Sequence, residues 1–160
     1  MKLYKIGHLT QRPQHYPNFS HFILYLAYMK TADLQQTLFF PTDALDFYKC
    51  ITDARIHSSF TGDEAIITDQ ERTSFSAFGG YIQGENMVLE RGKKIIQKWK
   101  ANEDGWPPDH YSEIVFIIRD KDNGCEVDFY HTAIPEAKLE SITKGWTDYY
   151  WEPLRIYLER

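Results

Sequence analysis

Apolar and polar positions change rhythm several times along this chain, and each change marks an element. Residues 34–40 alternate around Leu34, Leu38 and Phe40 and read as a strand that Pro41 ends. Thr42 then predicts an N-cap, with Asp43 and Asp46 in a first turn where the helix dipole favours negative charge. Leu45, Phe47, Tyr48 and Ile51 supply that helix with an apolar face. Asp53 is placed to cap a second short helix that reaches Phe60 and closes at Gly62. Strand-like stretches follow at 65–68, 73–78, 81–90 and 94–101, separated by turn residues such as Gly79-Gly80 and Gly92. After the loop holding Trp106-Pro107-Pro108, residues 111–119 are again β-prone, and Asn123-Gly124 predicts a tight hairpin, because both residues tolerate a positive φ.

The return strand alternates. Cys125, Val127, Phe129, His131 and Ala133 share one face; Glu126, Asp128, Tyr130 and Thr132 share the other. One face on a core and one on water is the signature of an antiparallel sheet. Pro135-Glu136 then opens a long terminal helix. Leu139, Ile142, Trp146, Tyr149, Tyr150, Leu154, Tyr157 and Leu158 recur at three- and four-residue steps, which gives one broad apolar stripe. Pro153 interrupts it and predicts a bend near 149–153. The predicted fold class is α+β: a curved antiparallel sheet with two short helices and the long C-terminal helix across its concave face.

Residues 1–30 do not share this pattern and read as an N-terminal extension or arm before a domain at 31–160. Met29 as the natural start is an alternative. His8, His15 and His21 lie at irregular spacing without acidic or thiol partners, which predicts packing or solvated roles and not metal ligation.

Composition sharpens this. The chain has 160 residues with 18 Lys+Arg against 23 Asp+Glu, net charge −5, so no basic stripe suggests nucleic acid or an anionic membrane. No run of 18 apolar residues exists to span a bilayer. Cys50 and Cys125 are far apart and form no metal-type pattern, which suggests a reduced, cytoplasmic setting. The departure from ordinary composition is 16% aromatic residues, with 4 Trp, 11 Tyr and 10 Phe. Large rings fill this fold or line it.

Several short motifs recur in an order that adds to the pattern. They are Phe60-Thr61-Gly62, Gly80 through Asn86, Lys94 through Lys100, Trp106-Pro107, His131 through Pro135, and Gly145-Trp146-Thr147-Asp148-Tyr149-Tyr150. Together, over about residues 32–160, they resemble the START-like "helix-grip" superfamily, and within it the C-terminal domain of the activator of the heat-shock protein 90 ATPase. The resemblance implies a cavity between the last helix and the sheet that takes an apolar small molecule. It departs at Arg72-Thr73, where such proteins usually carry a Gly pair; the backbone there is expected to avoid positive φ or to shift register. Eukaryotic activators of this kind also carry a separate N-terminal domain, which residues 1–31 are too few to form. The expectation therefore turns from chaperone activation toward ligand binding.

By pattern, Trp146, Tyr149 and Tyr150 of the helix would line the cavity, facing Phe78, Trp99, Phe129 and His131 of the strands, with Trp106 near the mouth. The plain alternative is that these rings are core. His131 is the ionisable residue best placed to contact a ligand or to act as a base in an enzyme of cyclase or hydrolase type. A histidine held by a buried Tyr hydroxyl or a backbone carbonyl is the competing account. Asp128 points away and Asp148 should face solvent, so no catalytic set assembles, and no cofactor or metal is expected. His57, Asp53 and Arg55 on the second short helix read as a solvated face or as a gate. The predicted function is non-enzymatic binding of a small apolar or amphipathic ligand, with a co-chaperone-like interaction module as the alternative. Residues 114–118 are apolar on both faces, so the outer face wants a cover from the arm or from a second subunit in a homodimer.

Overall fold

The computed structural model describes residues 29–160; the expectations for the arm, its histidines and the run before Met29 lie outside the described residues. Strand β1 (Thr31–Phe40) leads into helices α1 (Ala44–Thr52) and α2 (Ala54–Thr61). Five strands follow: β2 (Ser74–Ala77), β3 (Ile82–Glu90), β4 (Lys94–Ala101), β5 (Ser112–Lys121) and β6 (Gly124–Pro135). They form one sheet in the order β1-β6-β5-β4-β3-β2, and every neighbouring pair is antiparallel. The C-terminal helix is built in three parts: α3 (Leu139–Gly145), a π-helical turn (Trp146–Trp151) and α4 (Glu152–Leu158). It lies across the concave face, as the order of elements predicts.

That face carries the core. Phe116 of β5 and Phe129 of β6 pair across the sheet with ring centroids 5.1 Å apart, and Trp151 packs on Phe129 at 5.1 Å. Phe40 and Phe47 close the same cluster from β1 and α1. All these rings are almost fully buried, each contributing about 1.5–3 kcal/mol or more by removal from water.

Four local expectations change. The first helix is capped by Asp43, not Thr42: its carboxylate accepts from the Asp46 N–H at 2.8 Å, a charge-assisted bond a threonine one residue earlier cannot reach. Residues 65–68 form only a single bridge, Ile66 to Ser76, because the Asn86 side-chain amide takes the carbonyls of Thr68 and Gln70 and turns the chain away from the sheet. Arg72 does adopt a positive φ of 59°. Hydrogen bonds from the Arg72 N–H to the Asn86 carbonyl (2.7 Å) and from the Asn86 N–H to the Thr73 carbonyl (2.9 Å) hold this turn, so the left-handed backbone persists without glycine. Ala133 leaves the inner face: it has φ 58°, the register against β1 slips between Ala32 and Leu34, and Ile134 is buried instead. The Asp33 carboxylate accepts from the freed Ala133 N–H at 2.9 Å.

The predicted bend is a π-helical turn. Pro153 has no N–H, and its ring would clash with the carbonyl four residues back in a regular helix. Widening the preceding turn avoids this, and the Glu152 N–H reaches the Thr147 carbonyl five residues back.

Candidate functional site

Between the C-terminal helix and the β2–β3 end of the sheet lies a cavity of about 460 Å³. One wall is helical, from Ser141, Ile142 and Gly145 in α3 to Trp146, Tyr149 and Tyr150 in the π-helical turn. The opposite wall is Phe78, Tyr81 and Ile82 around the β2–β3 turn, with Trp99 from β4.

Local backbone explains both walls. In a helix of 3.6 residues per turn, Trp146 and Trp151 would point about 140° apart. The π-helical turn brings them to the same side, where their rings stack at 5.1 Å and 17°. Trp151 then anchors on the sheet, donating to the Gln36 side-chain oxygen at 2.9 Å, while Trp146 and Tyr150 (rings 4.6 Å apart) face the cavity. Across from them, Phe78 takes φ 53° and Gly79 and Gly80 take 60° and 92°. Glycine does so freely; Phe78 does so at a cost of about 1–2 kcal/mol, a strain that projects its ring against Tyr150 at 5.7 Å.

Five of the sequence-expected residues thus come together around one space: Phe78, Trp99, Trp146, Tyr149 and Tyr150. Three do not. Phe129 is core beneath Trp146 and Trp151. Trp106 is buried behind Trp99, rings 5.5 Å apart, and its indole N–H closes its own loop on the His110 carbonyl at 3.0 Å, so it is not at the mouth.

His131 lies one layer under the cavity and is fully buried. Its Nδ1 accepts from the Trp146 indole N–H at 3.0 Å, and since an indole only donates, Nδ1 carries no proton. The proton therefore sits on Nε2, which donates to Ser112 Oγ at 2.7 Å, and that hydroxyl donates on to the Trp99 carbonyl at 2.8 Å. Burial pushes the imidazole pKa down to about 3. Both nitrogens are taken, by Trp146 and by Ser112, so His131 braces the wall from behind and does not itself line the cavity. Its partners are a serine and a tryptophan, not the tyrosine or backbone carbonyl expected. The thiols of Cys50 and Cys125 are free and buried, with pKa pushed up to about 12 and about 11 by desolvation, so neither is an activated nucleophile. Among the described residues no group of three metal-ligating side chains comes together.

Sequence reasoning missed Tyr81, Ile82, Gly145 and the role of His57. His57 is not on a solvated face: it is fully buried, and its Nε2 is hydrogen-bonded to the Tyr150 hydroxyl, which fixes that ring in the cavity wall. Desolvation lowers its pKa to about 4 and raises that of Tyr150, so both are neutral. Arg55 and Asp53 stay on the surface side, Asp53 as the α2 cap. The usable signal was Gly145. It has ordinary helical dihedrals (φ −59°, ψ −42°), and a Cβ added there would meet nothing within 4 Å.

Comparison with known proteins follows the same geometry. Residues 41–159 match the family model described as activator of Hsp90 ATPase homolog 1-like protein. The chain is 26% identical over 129 residues to the activator of 90 kDa heat shock protein ATPase homolog 2 of Mus musculus, covering 81% of this chain and 38% of that one. It is 32% identical over 107 residues to the Dictyostelium discoideum activator of 90 kDa heat shock protein ATPase homolog, covering 66% and 27%. The chain therefore spans well under half the length of these relatives. In fold it is similar to an HSP90 activator from Plasmodium falciparum (TM-score 0.74, 24% identity, 79% of this chain and 96% of that one). It is also similar to the Aha1 dimer from Colwellia psychrerythraea (TM-score 0.67, 15% identity, 80% and 96%). Among the described residues, no helix is long and apolar enough to cross a membrane.

Proposed function

Because the chain belongs to the family of activator of Hsp90 ATPase homolog 1-like proteins, we propose that it uses the START-like scaffold of that family as a receptor, binding one small apolar or amphipathic molecule between the C-terminal helix and the sheet. The volume, about 460 Å³, lies in the range of about 300–1,000 Å³ typical of small-molecule sites. Gly145 carries the reading. Glycine inside a helix costs about 0.5–1 kcal/mol against alanine, and here neither a positive φ nor a close neighbour demands it. What glycine does at this position is keep the cavity open.

Gly145→Leu tests this directly. Leucine fits the helical backbone and extends into the empty space, so the variant should be as stable as the parent or about 0.5–1 kcal/mol more stable. It should bind a neutral fluorescent probe, N-phenyl-1-naphthylamine, at least tenfold more weakly. Equal binding by parent and variant, or no binding by the parent, overturns the reading.

A second reading is favoured by the relatives named as activators of a heat-shock protein ATPase: the domain acts on a chaperone as a protein-interaction module. It predicts a change in chaperone ATPase rate when the purified domain is added at saturation. Gly145→Leu, which alters only an internal surface, should leave that change intact; an unchanged rate on mixing removes this reading.

A further inference from the structure

Resting on the receptor reading above, we infer that the cavity selects by charge: it takes a flat, uncharged aromatic molecule and rejects the carboxylate of the same shape. Six of its ten lining residues are aromatic, and none is Lys, Arg or His. A buried carboxylate needs a cation or several hydrogen-bond donors to replace its water. Four of the polar groups in the wall already have partners. The Trp146 indole N–H is held by His131 Nδ1, the Tyr81 hydroxyl donates to Glu103 Oε2 at 2.6 Å, the Ser141 hydroxyl donates to the Lys138 carbonyl at 3.0 Å, and the Tyr150 hydroxyl is tied to neutral His57.

Two lysines on the elements that build the wall are paired as well. Lys138 pairs with Glu103 at 3.0 Å, and Lys144 pairs with Asp148 beside Tyr149. An incoming carboxylate would therefore displace Glu103 or Asp148 and meet like charge. Ring faces and edges remain on offer, suited to stacked or edge-on aromatic contact. Tyr149, 64% exposed, leaves its hydroxyl at the mouth for a single polar substituent.

The experiment titrates the full chain with a matched pair, 1-pyrenebutanol and 1-pyrenebutanoate, at pH 7.5, following quenching of tryptophan fluorescence. The alcohol should bind at least tenfold more tightly than the carboxylate, and Gly145→Leu should abolish the difference by closing the site. Asp148→Asn removes the partner of Lys144 without touching a wall residue, and should raise carboxylate affinity several-fold while leaving the alcohol unchanged. Equal or tighter binding of the carboxylate overturns the charge selection and leaves the receptor reading standing. Binding of neither compound overturns both. Alcohol binding that Gly145→Leu does not weaken places the site elsewhere and overturns the inference.

Discussion

Two buried histidines make the stability of this fold depend on pH. His57 and His131 are neutral in the fold, with pKa values near 4 and near 3, both lowered by desolvation. In an unfolded chain the same rings titrate near 6.5. Stability is then fully present above about pH 6.5 and is lost as pH falls toward the folded values, because only the unfolded state takes up protons in that window. Each ring contributes a slope of about 1.4 kcal/mol per pH unit between about pH 6 and 4. Urea unfolding at pH 7, 6 and 5 should show this fall, and His57→Gln, whose amide can still bond Tyr150 but does not titrate, should lose about half of it. A flat profile from pH 7 to 5 would contradict the burial of neutral rings. Sequence could place His131 on the inner face by alternation. It could not find Ser112 and Trp146 as its partners, since these come from a neighbouring strand and from the helix. His57 was harder still, because a polar run on a short helix looks solvated until Phe60, Phe78 and Tyr150 are packed around it.

At the scale of elements, the C-terminal helix divides its rings between anchoring and lining. Trp151 is buried, stacked on Trp146 and bonded to Gln36, and it lies outside the cavity wall. Trp151→Ala should cost about 3–5 kcal/mol of stability, as large core truncations do. Tyr149 is mostly exposed yet lines the mouth, so Tyr149→Ala should move stability by no more than about 0.5 kcal/mol while weakening the neutral probe several-fold. Denaturant melts and probe titrations of both variants separate the two roles; the reverse pattern would reassign them. The helix stripe was legible from its three- and four-residue steps, but Trp151 follows Trp146 by five residues, about 140° away around a regular helix. Only the wider π-helical turn, imposed by Pro153, brings it inward.

At the scale of the whole molecule, the order of elements, the antiparallel sheet and the side on which the last helix packs were all written in local pattern. Alternation along β6, the cap at Asp53 and the apolar stripe of the helix depend on neighbours within a few residues, and short-range periodicity reports such neighbours well. Departures occur where a distant partner takes over a backbone group. Asn86 strips residues 65–68 of their strand and props Arg72 at a positive φ, and Asp33 accepts the Ala133 N–H as the alternation slips. The cavity belongs to this second class. Composition and stripe announced an excess of rings, and resemblance implied a space among them, but which rings face it depends on a π-helical turn, a strained Phe78 and a glycine with nothing beside it. The sequence by itself determined which surfaces are apolar, because hydrophobic periodicity is local. Only the tertiary structure decided which of those rings pack into core and which surround a void, because a void is defined by atoms that meet from elements far apart in the chain.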